Sequence, residues 1–201
     1  MEPNSRRHVT TKPVATPPTT NPAAAQGAAD RKTNAGSTPN PWDACALLTY
    51  GSDRTLASAV QSLVIDTPPE GRARVEEQLL QVLALPECTD AGRAFLCQML
   101  ALAGSAASVP ALTALLREAK STEDARYALQ AIPGAEADAV LRDALPSLSG
   151  AAKAGLIGSI AVRGDKGAKA ALGAVKDNPG EPALVREAAS RALERLATTD
   201  A

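Results

Sequence analysis

Aromatic side chains are almost missing from this chain of 201 residues: one Trp, two Tyr and one Phe make up 2% of it. Deep ligand pockets and base-stacking platforms are usually built from such rings, so neither is expected. Histidine is scarcer still, with His8 alone. Histidine-dependent nucleophilic catalysis therefore has no base to work with. The three cysteines, Cys45, Cys88 and Cys97, are odd in number and show no C-x-x-C spacing, which leaves no ligand set for zinc or covalent haem. Cys97 falls within the run Phe95 to Leu100, where a small buried thiol is the expected role. Long apolar runs are missing too: no window approaches the roughly 18 residues of a membrane span. The N-terminus carries charge but no apolar signal-peptide core. No membrane insertion is expected, and the default compartment is the cytoplasm unless the N-terminus is incomplete.

What is present divides the chain in two. Residues 1–40 hold six prolines, many Thr and Ala, and few large apolar side chains. Too little surface could be buried there to offset ordering entropy, so a disordered tail or linker is expected. This segment carries five Lys and Arg against two acids, a net +3, which leaves −4 for residues 41–201 out of the chain total of −1. An acidic folded part lacks the clustered cations that displace counterions from phosphates, so no nucleic-acid partner is expected.

From residue 41 the apolar residues, chiefly Ala, Leu and Val, recur at helical spacing between Gly, Pro and capping residues, with no period-two alternation. The pattern predicts an all-α domain of about ten helices, over 41–50, 53–66, 70–85, 89–103, 106–118, 122–132, 136–148, 151–163, 166–177 and 182–197. Gly51, Gly104, Gly134 and Gly164 each follow an apolar run, where a left-handed C′ residue is expected. Ser121 is read as an N-cap with Asp124 in the first turn, and Pro41 and Pro182 as early helical residues.

Gly104, Gly134 and Gly164 recur at thirty-residue intervals, each followed by a second helix with an apolar face. A period of that size means stacked helix pairs, since one pair cannot bury its own apolar face. The register aligns Leu112, Leu141 and Leu172, with Leu115, Ala144 and Val175 one turn further on. Thr113, Arg117, Arg142, Lys166 and Lys169 are left pointing outward, and these form the candidate partner-binding surface.

The segment ASVPALTALLREA, entered from a helix ending in Gly104, resembles the HEAT-like repeat associated with phycobilisome lyases and many bacterial scaffold proteins. WDACALLTYGSDRTLASAV, EEQLLQVLALPECTDAGRAFLCQMLALAG, DARYALQAIPGAEADAVLRDAL and GAAKAGLIGSIAVRGD are similar to successive parts of HEAT-repeat modules in large bacterial multidomain proteins. The resemblance implies a right-handed α-solenoid over 41–201, with an adjoining domain and no catalytic residue of its own. The final stretch, REAASRALERLATTDA, looks like the first helix of a repeat whose second helix is missing, so a truncated last repeat is expected.

Other chemistry is weakly represented. Glu76 with Glu77 and Glu123 with Asp124 are adjacent on helices, point about 100° apart, and are read as solvated faces rather than catalytic pairs. Gly150, Gly155 and Gly158 are read as helix-packing positions, not a phosphate loop. Lys166, Lys169 and Lys176 beside Arg163 form the most basic patch, diluted by Asp165 and Asp177. Trp42, Tyr50, Phe95 and Tyr127 are read as core fillers, with Trp42 and Tyr50 on one helix face.

The expected function is a non-enzymatic protein-binding scaffold with no cofactor, no metal and a protein partner. Two alternatives come from the shared repeat. A bilin-lyase-like enzyme or chaperone would need aromatic, Arg and acidic groups around a tetrapyrrole. A HEAT-like DNA glycosylase would need a basic groove with Trp and Tyr over a base, against the net charge of residues 41–201.

Overall fold

The computed structural model describes residues 40–198, so residues 1–39 of the expected tail and the last three residues lie outside the description. Ten α-helices run through it: α1 Pro41–Ala46, α2 Thr55–Asp66, α3 Pro69–Leu83, α4 Asp90–Ala103, α5 Val109–Leu116, α6 Thr122–Ala131, α7 Ala135–Ala144, α8 Gly150–Arg163, α9 Lys169–Asp177 and α10 Ala183–Thr198. Short 3-10 turns at Ala106–Ser108 and Lys166–Ala168 lead into α5 and α9, and a third, Leu145–Ser147, follows α7. Among the described residues there is no strand.

Helices α2, α4, α6, α8 and α10 pack each on the next, and α5, α7 and α9 follow α4, α6 and α8 in the chain. Helix α5 lies on α6 and α7, α7 on α8, and α9 on α10. The core runs continuously between these helices and is aliphatic. Leu96, Leu100, Leu112, Leu129, Ile132, Leu141, Leu156, Ile157, Ile160 and Leu172 are all fully buried. Their spacing explains the helices: α10 buries Val185, Ala189, Ala192 and Leu196, a single stripe at helical period. Leu112, Leu141 and Leu172, the residues aligned on the second helices, are all fully buried, and Val175 and Ala144 are partly buried against the core.

Several local expectations are corrected. Helix α1 stops at Ala46, not residue 50, because a distant side chain takes its last carbonyls. Thr89 donates its amide to the Ala46 carbonyl at 2.9 Å, and its hydroxyl faces the Ala46 and Leu48 carbonyls. Trp42 and Tyr50 therefore share no helix face. Gly92, one turn into α4, lies so close to α1 that a Cβ there would collide with the Ala46 carbonyl. Gly104 is extended, with φ −71° and ψ 154°, rather than left-handed. Its lack of a side chain is needed for packing, since a Cβ would strike the Leu100 carbonyl and stand 3.0 Å from Ile132 Cδ1. Gly164 does cap α8 in the left-handed region, at φ 72°. Ser121 precedes α6 without a side-chain capping bond. Pro182 sits before α10, and its carbonyl accepts from Val185 and Arg186. Of the three glycines in α8, Gly155 alone makes a close approach, to the Arg126 and Glu123 side chains of α6.

Two joints tie helix pairs together through the residue preceding a 3-10 turn. Glu76 on α3 is 4% exposed and accepts from the Ser105 amide at 2.7 Å, the Ser105 hydroxyl at 2.8 Å and the Ser108 hydroxyl. The solvated face expected for Glu76 together with Glu77 is thus corrected for Glu76, which is buried. Arg142 on α7 donates from Nη1 to both carboxylate oxygens of Asp165, each at 2.7 Å, while Asp165 accepts from the Gly167 amide.

Burial alone would raise the Glu76 carboxyl, but the bonds from Ser108 and Ser105 outweigh it and hold the group below its ordinary value of 4.5. A carboxylate lowered in the folded state stabilises the fold above its unfolded value. That contribution is lost as pH falls through the folded value. Glu76→Gln is expected to cost about 1.5 to 3 kcal/mol at pH 7, and the gap to wild type should shrink below about pH 4.5. Denaturant midpoints across pH measure it; a gap unchanged down to about pH 3 would remove the ionised carboxylate from the joint.

Candidate functional site

The five outward residues expected on the second helices do not come together. Thr113 is half-buried and its hydroxyl donates to the Val109 carbonyl at 2.7 Å. With the exposed Arg117 it lines a cleft of about 170 Å³ between α5 and α7, together with Val140, Asp143 and Ser147. Arg142 is corrected: its guanidinium is spent on Asp165 and its side chain is only 32% exposed. Lys166 is exposed and Lys169 half-buried where α9 begins, and neither lines that cleft.

The basic patch proposed around Arg163 is corrected as well. The Arg163 side chain is 8% exposed and points back into the end of α6. Its Nη1 donates to the carbonyls of Leu129, Gln130 and Ile132, its Nη2 to Gly134, and its Nε to Asp138 at 2.5 Å. The last carbonyls of a helix have no partner within it, and here a guanidinium from the neighbouring helix supplies one. Lys153 on α8 is likewise buried and paired with Glu181 in the segment between α9 and α10.

The cysteines are interior groups. Burial pushes the Cys97 thiol up to about 12 and Cys45 up to about 11, so neither supplies a thiolate near neutral pH. Among the described residues no three His, Cys, Asp or Glu side chains gather as metal ligands would.

The aromatics depart most from expectation. Phe95 is buried and Trp42 packs against the core, yet Tyr50 is 99% and Tyr127 53% exposed. In a protein so poor in rings, both tyrosines stand on the surface. Tyr127 borders a groove of about 410 Å³ across α2, α4 and α6, floored by Met99, Ala101 and Leu102 and edged by Gln61, Gln98 and Asp124. Tyr50 borders a second cleft of about 210 Å³, with Arg54, Ala94 and Phe95, and the two clefts meet at Gln98. Leu102 is 50% exposed within the groove.

Asp124 lies half-buried in the first turn of α6, with no hydrogen bond or ion pair among the described residues. Burial foremost, and then the charge of Glu123, raise its carboxyl above the ordinary value. Glu123 itself is paired with Arg126 at 2.7 Å. The groove thus combines exposed apolar surface, two amides and one carboxylate without a cation.

A signal for this site was present in the sequence. Ala125, Ala128, Leu129 and Ile132 define the buried stripe around α6, and Tyr127 falls off it. Among the described residues no helix is long and apolar enough to cross a membrane. No family model, curated protein or solved structure matches this chain.

Proposed function

We propose that residues 41–201 are a non-enzymatic protein-binding scaffold, built as a right-handed solenoid of HEAT-like helix pairs. The solenoid reading is supported by the thirty-residue register of Leu112, Leu141 and Leu172 and by the packing of every second helix on the next. The binding reading is carried by one observation, the apolar groove across α2, α4 and α6 with Tyr127 and Leu102 at its surface. Exposed tyrosine beside apolar side chains and polar amides is the composition of protein interfaces.

A photo-crosslinking amino acid at position 127, with controls at Arg117 and Arg74, tests this reading in the native cell. The same few proteins should be captured through position 127 and be absent from the control at Arg74, which is exposed and outside the groove. Identical yields from positions 127 and 74 would remove the groove as the binding surface. Capture through position 117 alone would move the interface to the cleft between α5 and α7.

A further inference from the structure

Three features of the groove restrict what can fill it. Gln61 and Gln98, both exposed, bring side-chain amides to its lining, while the backbone groups of the surrounding helices are used within those helices. A helical ligand hides its own backbone hydrogen-bonding groups, so amides in a groove gain no backbone bond from it; an extended ligand brings carbonyls that need donors. Tyr127 and Tyr50 line two neighbouring clefts that share Gln98 rather than one enclosed pocket. Flat rings in shallow clefts suit the pyrrolidine faces of a preformed polyproline helix, which loses little entropy on binding. Asp124, half-buried and without a cation, completes the set with a carboxylate.

We infer that this groove takes an extended, proline-rich protein segment with a Lys or Arg beside its prolines, the prolines lying on Tyr127 and Tyr50 and the cation facing Asp124. The inference rests on the protein-binding reading above and names the class of partner. Gln61 and Gln98 donate to the segment's carbonyls. Proline's missing amide leaves no donor unmet.

Fluorescence anisotropy of the full chain with a short dye-labelled peptide of prolines and alanines carrying one arginine tests it. Saturable binding is expected, weakened about tenfold or more by Tyr127→Ala. Asp124→Asn should weaken the arginine peptide several-fold and leave its Arg→Gln counterpart unaffected. Tyr127 is half exposed, so its variant should keep the wild-type circular dichroism. No saturable binding, or binding indifferent to both variants, overturns the inference. An amphipathic helical peptide serves as the separating control. If it binds in a Tyr127-dependent way and the proline peptide does not, the inference falls while the protein-binding reading stands. If neither binds and position 127 captures nothing in cells, both fall.

Discussion

Arg163→Ala is expected to destabilise the fold by about 3 to 5 kcal/mol, the usual loss when one partner of a buried, hydrogen-bonded charge pair is removed. The substitution deletes a small volume of chain but leaves Asp138 without its guanidinium and strips the donor from the final carbonyls of α6. The carbonyls lie under an arginine side chain that is 8% exposed, while Asp138, at 26%, keeps partial access to water. Arg163→Lys should recover only part of the loss, because an ammonium keeps the charge near Asp138 but cannot fork across several carbonyls. Denaturant unfolding followed by far-ultraviolet circular dichroism measures both. A cost below about 1 kcal/mol for the alanine variant would show that the α6 terminus is held by something else.

Leu112→Ala and Leu141→Ala form the second large effect, each expected to cost about 2 to 5 kcal/mol. Both side chains are fully buried, Leu112 beside Val109, Leu115 and Leu116 on α5 and Leu141 with only Ala137 on α7. Truncation removes the transfer free energy of three carbons and leaves a cavity that rigid neighbouring helices cannot close. The loss should lie near the upper end at Leu141, where no other large side chain of α7 is buried to compensate. Costs below about 0.5 kcal/mol at both sites would mean that the shared register of the second helices is wrong.

Much of this architecture was legible in the residues themselves. The helical spacing of the apolar residues pointed to Leu112, Leu141 and Leu172 as core positions, and all three are buried, because helical periodicity is a local property of the chain. The end of α1 was not legible. It depends on Thr89, a residue 43 positions along the chain whose hydroxyl reaches the Ala46 carbonyl. Gly104 caps its helix as its position suggested, but without the left-handed backbone; a Cβ there would meet the Leu100 carbonyl and, beyond the reach of sequence reading, the Ile132 side chain. The charged residues were the least legible, because a sequence shows that Arg142, Arg163 and Glu76 are polar but not that each has a partner on another segment of the chain. The groove fell between these cases. Tyr127 is off the apolar stripe of α6, a fact open to pattern reading, but the joining of three helices around it is tertiary.

The two joints described above differ in sign: at one, an acid on α3 meets serine hydroxyls and an amide before α5; at the other, a base on α7 meets an acid before α9. Each helix pair is therefore cut to fit one particular neighbour. Were the pairs shuffled so that Arg142 faced Ser105, a half-buried cation would meet an amide and a neutral hydroxyl in place of a carboxylate. Were Glu76 placed against Asp165, two carboxylates would share one site. Polarity at each seam thus acts as a grammar for which helices can meet, and a chain with these segments in another order would need its seams rewritten before it could pack.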